Sequence, residues 1–175
     1  MQRPQLEHII RAAAGITGAQ EFIIIGSQAV LGQFPHAPAE LLVSIEADVF
    51  TLRDPADADL IDGSIGEGSP FHQTFGYYAH GVAVETAFLP AGWLERLVAV
   101  RNPNTGGGTG LCLEVHDLAV SKLVAGREKD IDFVGGLFRH KLARGETVRE
   151  RLAATPMDDT RRQHCLERLE RLLGP

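Results

Sequence analysis

"IIIGSQAVLG", residues 23–32, is the segment that decides the fold. The apolar run "EFIII", residues 21–25, is typical of a buried strand. The next residues, "SQAVLGQF", predict a helix that Ser27 caps, because a serine hydroxyl can accept a hydrogen bond from an amide two or three residues on. Two interpretations of Gly26-Ser27 stay open. The pair makes an ordinary strand-to-helix turn, or its glycine lets the backbone approach a phosphate at a helix N-terminus.

The composition is typical of a globular protein and excludes several classes of function. The chain has 175 residues, of which 44% are hydrophobic and 23% charged, enough for one domain with a core. A net charge of −6, with one Trp and two Tyr, argues against broad duplex DNA binding and against a base-stacking platform. No apolar run approaches the roughly 20 residues of a membrane span. We therefore expect a cytoplasmic protein with no membrane partner, in which Cys112 and Cys165 are reduced.

A second segment, "SIEADVFT" (residues 44–51), alternates between apolar and polar positions and predicts a strand. Its acidic side chains, Glu46 and Asp48, project from the same face, about 7 Å apart at the backbone. Carboxylates placed in this way can converge on one divalent ion such as Mg²⁺. Their like charges should raise the pKa of at least one of them. The alternative is a solvated strand that binds no ion.

The rest of the chain gives the order of the remaining elements. The pattern predicts a helix in residues 5–14, a turn in "PHAPAELL", a helix in "PADADLIDGSIG", two strands joined near Gly81 in "YYAHGVAVETAFLP", strands in "LVAVRN" and "GLCLEV", and helices from His116 to the end. We predict an α+β fold, a mixed β-sheet flanked by helices, with a helical C-terminal third. The central strands are residues 21–25 and 45–51. Apart from the N-terminal helix, we expect helices only after residue 115, although "PADADLIDGSIG" also has a helical pattern.

The combination of these segments resembles the polymerase-β-like nucleotidyltransferases. In that superfamily an apolar strand ends in Gly-Ser, and a short helix and an acidic strand follow, as in "IIIGS" and "EADVFT" here. The segment "SKLVAGREKDIDFV" is similar to the lysine and R-x-K-D signature of the AbiEii-like branch. The run "GSQAVLGQFPHAPAELLVSIEADVF" looks like a bacterial family of presumed nucleotidyltransferases, the DUF6036 type.

This resemblance implies a single nucleotidyltransferase-like domain over residues 1–175, with a core at about 20–140 and C-terminal helices at 141–175. Two features depart from the superfamily pattern. Eighteen residues (28 to 45) separate Ser27 from Glu46, so that "FPHAPAELL" is an inserted turn. In addition, the first acid is Glu rather than Asp, which shifts the place of a metal ion.

The resemblance also implies a mechanism and a set of site residues. Such enzymes transfer a nucleoside monophosphate from a nucleoside triphosphate, with Mg²⁺ or Mn²⁺ as cofactor. The implied metal ligands are Glu46 and Asp48, which are also catalytic. A third carboxylate on a neighbouring strand usually helps to deprotonate the acceptor, and Glu85 in "VAVETAF" is the candidate. The implied nucleotide-binding residues are Gly26, Ser27, Lys122, Lys129 and Asp130.

Each of the downstream assignments has a structural alternative. Glu85 is equally consistent with an exposed position on an edge strand. Lys122 lies on an otherwise apolar helix and can extend its ammonium to solvent. Lys129 and Asp130, at a helix start, can form charge pairs on a solvated face.

Three functions from different classes follow. The first is an active nucleotidyltransferase whose acceptor is an RNA, a protein or a small molecule. The second is an inactive relative that serves as a binding or regulatory protein, such as a toxin–antitoxin component with a small antitoxin-type partner. The third is a metal-dependent phosphohydrolase. The presence together of Gly26, Ser27, Glu46 and Asp48 favours the first over the second. The absence of an obvious water-activating histidine near the acidic strand disfavours the third.

Overall fold

One mixed β-sheet organises the molecule in the computed structural model, which describes residues 1–174. Its strands are β1 (Glu21–Ile25), β2 (Glu46–Phe50), β3 (Tyr78–Gly81), β4 (Val98–Val100) and β5 (Thr109–Cys112). They lie in the order β3-β2-β1-β5-β4. The central strand β1 runs antiparallel to β2 and parallel to β5, while β2 and β3 are parallel and β4 and β5 antiparallel. The predicted α+β fold with a mixed sheet is confirmed.

Helices surround this sheet. They are α1 (Arg3–Thr17), α2 (Val30–Gln33), α3 (Ala56–Ile65), α4 (Pro70–Phe75), α5 (Val115–Ala125), α6 (Glu128–Arg139), α7 (Gly145–Ala153) and α8 (Asp159–Leu173). The last four form the predicted helical C-terminal third. Among the described residues, no helix has the length and apolar character needed to cross a bilayer.

The expectation that helices other than α1 occur only after residue 115 is wrong. Both α3 and α4 lie between β2 and β3 in the chain. Because β2 and β3 are parallel, the chain has to return to the starting end of the sheet between them, and a helix usually makes that crossover. The helical pattern of "PADADLIDGSIG" is therefore the signal that was correct, and it corresponds to α3.

The segment "YYAHGVAVETAFLP" contains one strand and not the predicted two. Strand β3 ends at Gly81, and Val84–Thr86 form a single 3₁₀ turn. Since β3 is the outermost strand on its side of the sheet, the described residues offer no further strand with which a second half could pair. Val84 and Phe88 are accordingly exposed, so that the apolar pattern in the second half of this segment does not mark a core strand.

The period of two in β2 separates a buried face from a cavity-facing one. Ala47 and Val49 are buried, whereas Glu46 and Asp48 are partly exposed. Val49 pairs with Gly81 of β3, and α3 approaches that position so closely that a Cβ on Gly81 would lie 1.9 Å from the Ala58 carbonyl oxygen. The helix thus covers one face of β2 and β3 and leaves both carboxylates on the other.

We predict that Gly81→Ala lowers the free energy of unfolding by about 2 kcal/mol, because the added methyl group would have to displace the backbone of α3. Chemical denaturation followed by circular dichroism measures the change. Gly63→Ala is the matched control, since Gly63 is exposed in α3 and a Cβ there has no atom within 4 Å. That control should leave stability unchanged or raise it by up to about 1 kcal/mol. Equal stability of Gly81→Ala and the wild type would contradict the close approach.

Candidate functional site

The turn after β1 brings the backbone of Gly26 against a carboxylate. Gly26 has φ 70° and ψ −176°, a conformation that favours glycine. A Cβ at this position would lie 2.0 Å from Oδ2 of Asp48. The contact arises from the strand register, because Ile25, the last residue of β1, pairs with Asp48 of β2. Glycine is therefore required both for the turn and for the carboxylate beside it.

The predicted capping role of Ser27 is wrong. Ser27 is the first residue of a 3₁₀ turn, Ser27–Ala29, whose cap is Gly26, and no side chain caps this turn. The Gly26 carbonyl accepts a hydrogen bond from the Ala29 amide at 3.1 Å. The neighbouring Gln28 links the turn to the residues just before β2, since its side-chain Nε2 donates to the Ser44 carbonyl at 3.1 Å. Ser27 itself lines a cavity, where its hydroxyl can meet a ligand.

Glu46 and Asp48 share that cavity with a histidine from the neighbouring strand. His80 Nδ1 lies 3.1 Å from Glu46 Oε1 and 3.4 Å from Asp48 Oδ1. Asp48 and His80 are direct partners in the parallel β2–β3 pair. The same pairing sets Tyr78 beside Glu46, and its hydroxyl donates to Glu46 Oε2 at 3.1 Å. One potential ligand atom from each of Glu46, Asp48 and His80 lies within 4.8 Å of the other two.

The two carboxylates have opposite pKa shifts. Burial, followed by the hydrogen bond and charge of Glu46, raises the pKa of Asp48 to about 6. Burial also acts to raise the pKa of Glu46, but hydrogen bonds with Asp48, Tyr78 and His80 outweigh it, and the pKa is lowered. The expectation that one pKa of the pair is raised is confirmed, although burial contributes more than repulsion. As the pH falls below about 6, the pair can therefore hold one proton between its oxygens.

Positive charge reaches the same cavity from α5 and from the start of α6. Lys122 is 8% exposed, so that its ammonium does not extend to solvent as the alternative interpretation had it. Its Nζ donates to Asp130 Oδ1 at 2.9 Å. Asp130 is fully buried and also accepts from Arg127 Nε at 2.6 Å. The two cations hold the pKa of this carboxyl below its usual value although burial acts to raise it.

The cavity has a volume of about 1030 Å³, and side chains of both charges line it. Its acidic lining residues are Glu40, Glu46, Asp48 and Asp132, and its basic ones are Lys122, Arg127, Lys129 and Arg139. Lys129 is exposed at this cavity, whereas Asp130 lies behind Lys122 and Arg127 and is not among the lining residues. Asp130 is thus placed to hold the cations and not to contact a ligand.

The predicted inserted turn, "FPHAPAELL", forms a further wall. Residues Ala39–Leu41 make a 3₁₀ turn, as the sequence indicates. Glu40 accepts hydrogen bonds from Arg139 and His140, both at 2.5 Å, and so joins the turn to the end of α6. Leu41 packs on Gly136 of α6, where a Cβ would lie 2.8 Å from Leu41 Cδ2. The turn is therefore a fixed part of the cavity and not a free loop.

Glu85 lies outside this group of residues. Its predicted place within the sheet is wrong, because it is exposed in the 3₁₀ turn that follows β3. The strand beside β2 presents His80 instead, where the resemblance implied a third carboxylate. The expectation of no histidine near the acidic strand is wrong for the same reason. The sequence did hold a signal, because Tyr78 and His80 alternate with small residues in "YYAHG", but it does not show that this strand pairs with β2.

The donor set fits a divalent metal ion. Two carboxylate oxygens and one imidazole nitrogen are common metal ligands, and all three lie on strands of one sheet. The basic side chains that line the same cavity could bind phosphate groups that also coordinate such an ion.

We predict that Asp48→Asn stabilises the metal-free protein at about pH 7.5 by roughly 1 to 3 kcal/mol. An acid with a raised pKa destabilises the folded state above the folded-state pKa, and this penalty disappears below the unfolded-state pKa. The gain should therefore shrink as the pH falls through about 6 toward 4. Thermal and urea unfolding of both proteins in the presence of a chelator, at several pH values, measure it. A gain that is the same at every pH would contradict the raised pKa.

Comparison with known proteins agrees with this geometry. No curated protein and no solved structure shows significant similarity to the chain. A family model described as "Nucleotidyltransferase of unknown function (DUF6036)" matches residues 4–152. The match includes the whole sheet, the Gly26-Ser27 turn, the acidic strand and α5 and α6. The chain belongs to this nucleotidyltransferase family, DUF6036.

Proposed function

We propose that the protein transfers a nucleoside monophosphate from a nucleoside triphosphate to a hydroxyl of an RNA, a protein or a small molecule, with Mg²⁺ or Mn²⁺ as cofactor. The observation that carries this proposal is the contact between Asp48 and Gly26. Through it, a turn suited to phosphate and a carboxylate suited to metal lie side by side in one cavity. The cavity offers carboxylates to a metal ion and basic side chains to the phosphates of a triphosphate.

The turn and the basic side chains would bind the phosphates. The absent side chain at Gly26 leaves room for the Asp48 carboxylate, and the Ser27 hydroxyl, which lines the cavity, can donate to a phosphate oxygen. Lys122 is already oriented by Asp130 and uses one of its three hydrogens there, which leaves others for the ligand. Arg127 and Lys129 add positive charge at the same cavity.

Glu46 and Asp48 would hold the divalent ion, which when bound neutralises negative charge on the phosphate oxygens. In the reaction the acceptor oxygen forms a bond to the α-phosphorus, and the bond from that phosphorus to the α,β-bridging oxygen breaks. Pyrophosphate leaves with the electron pair. The proton of the acceptor hydroxyl passes to the Asp48 carboxylate.

A metal-dependent phosphohydrolase is the second candidate, and His80 is the observation in its favour. The side chain is 50% exposed and lies beside both carboxylates, so that it could orient a water molecule. The two functions differ in their products. Transfer places the α-phosphate on an acceptor and releases pyrophosphate, whereas hydrolysis transfers a phosphoryl group to water.

We predict that Asp48→Asn abolishes nucleotidyl transfer while the protein stays folded, because the substitution removes a metal-binding charge and the proposed base. Wild type and variant are incubated with each nucleoside triphosphate, labelled at the α- or the γ-phosphate, with Mg²⁺ or Mn²⁺ and with RNA or cell lysate. Transfer gives an α-labelled acceptor. Asp62→Asn is the matched control, since Asp62 is exposed on α3 and is not among the cavity-lining residues, and it should retain full activity.

Other outcomes of this experiment separate the alternatives. Release of free labelled phosphate without a labelled acceptor would support the phosphohydrolase. Nucleotide binding with no chemistry in any reaction would support a binding or regulatory role, such as that of a toxin–antitoxin component. Undiminished transfer by Asp48→Asn would reject the role of the acidic pair.

We predict that Ser27→Ala weakens triphosphate binding by about tenfold with a nearly unchanged melting temperature, because a hydrogen bond to a charged phosphate is lost and no cap is removed. Isothermal titration calorimetry with a non-hydrolysable triphosphate and Mg²⁺ measures the affinity. The control is Ser64→Ala, an exposed serine of α3, which should bind as the wild type does. If the affinity of Ser27→Ala is unchanged, the turn has only a structural role.

A further inference from the structure

We propose that His80 is a third metal ligand and that it makes the site select a divalent transition-metal ion, represented by Mn²⁺, over Mg²⁺. This inference rests on the proposed function only for the presence of an ion between Glu46 and Asp48. It adds an imidazole nitrogen to a donor set that the resemblance to nucleotidyltransferases implies to consist of carboxylates. The identity of the preferred ion then follows from the chemistry of that nitrogen.

The distances around His80 match ligands of one ion. Its Nδ1 is 3.1 Å from Glu46 Oε1 and 3.4 Å from Asp48 Oδ1. Adjacent ligands of an octahedral ion with metal–ligand distances of about 2.1 Å lie roughly 3.0 Å apart, and slightly longer bonds widen this separation. The two edges of the triangle that meet at His80 Nδ1 are therefore close to the length that a bound ion needs.

The second oxygen of each carboxylate is already engaged elsewhere. Glu46 Oε2 accepts from the Tyr78 hydroxyl, and Asp48 Oδ2 packs against Gly26. Each acid thus presents its other oxygen, Oε1 or Oδ1, toward His80 Nδ1. Outer contacts of this kind orient metal ligands, and they argue against an accidental cluster of charged side chains.

The backbone holds the three groups in place. Asp48 and His80 are paired in the register of β2 and β3, and Glu46 lies two residues before Asp48 on the same face. The close approach of α3 to Gly81 fixes the strand directly after His80. Half of the His80 side chain is exposed, and the cavity opens on the same side, which leaves room for water and phosphate oxygens at the other coordination positions.

The selectivity follows from the nitrogen ligand. Mg²⁺ is a hard ion that takes oxygen ligands and retains its waters, so that an imidazole adds little to its affinity. Transition-metal ions bind imidazole more strongly, and Mn²⁺ also accepts the carboxylate, water and phosphate oxygens that this site supplies. A site with two carboxylates and one imidazole should therefore discriminate between Mn²⁺ and Mg²⁺ more strongly than a site with three carboxylates.

The test measures the ion directly, without nucleotide or acceptor. Pulsed electron paramagnetic resonance of Mn²⁺ bound to the wild-type protein should show coupling to a ¹⁴N nucleus. In His80→Asp, which replaces the nitrogen ligand by oxygen, that coupling should be absent. Calorimetric titrations with Mn²⁺ and with Mg²⁺ give the ratio of the two affinities, and this ratio should fall by about tenfold or more in His80→Asp.

His164→Asp provides the matched control, because it makes the same substitution at an exposed position of α8 that is not among the cavity-lining residues. It should keep both the ¹⁴N coupling and the affinity ratio. Bound Mn²⁺ without ¹⁴N coupling in the wild type would overturn the proposal even if His80→Asp fails to fold, as would an unchanged ratio in a folded His80→Asp. Coupling to ¹⁴N with no transfer in any assay would reject the proposed function and leave the ligand assignment standing.

Discussion

The close contact between Gly26 and Asp48 is the constraint on which the rest of the site depends. It joins the end of the central strand to the acidic strand beside it, and only a glycine permits it. Because the pairing of β1 and β2 sets the contact, a shift of register by one residue would turn both carboxylates toward α3. The strand pairing that buries β1 thus also decides which way the two carboxylates point.

A buried carboxylate, Asp130, positions the basic side chains of the cavity. Asp130 has no exposure of its own and binds both Lys122 and Arg127. Burying such a charge is costly unless its partners compensate, and here two cations from α5 and from the residue preceding α6 do so. The arrangement orders two long, flexible side chains before any ligand arrives, which lowers the entropy that binding would otherwise lose.

The sequence predicted the parts of the fold that depend on local pattern. The apolar run of β1 and the alternation of β2 each identify a strand from a few neighbouring residues, and both are confirmed. The position of His80 depends instead on which strand lies beside β2, and that is decided by the crossover through α3. Glu85 was chosen for its apolar neighbours, but a segment beyond the outermost strand has no partner to pair with. A local pattern does not show which distant segments become neighbours in the sheet, and the positions of His80 and Glu85 depend on that.

The turn that carries Glu40 contributes to the shape of the cavity, whereas the strands contribute its metal-binding groups. The strands supply the groups suited to metal, and β2, which carries both carboxylates, allows little change because it pairs with β1 on one side and β3 on the other. The turn supplies shape, with Leu41 packed on α6 and Glu40 bound to its end. Lengthening such a connection costs little conformational free energy. A longer turn at this point would therefore reshape the cavity at little conformational cost and leave the strands that carry Glu46 and Asp48 unchanged.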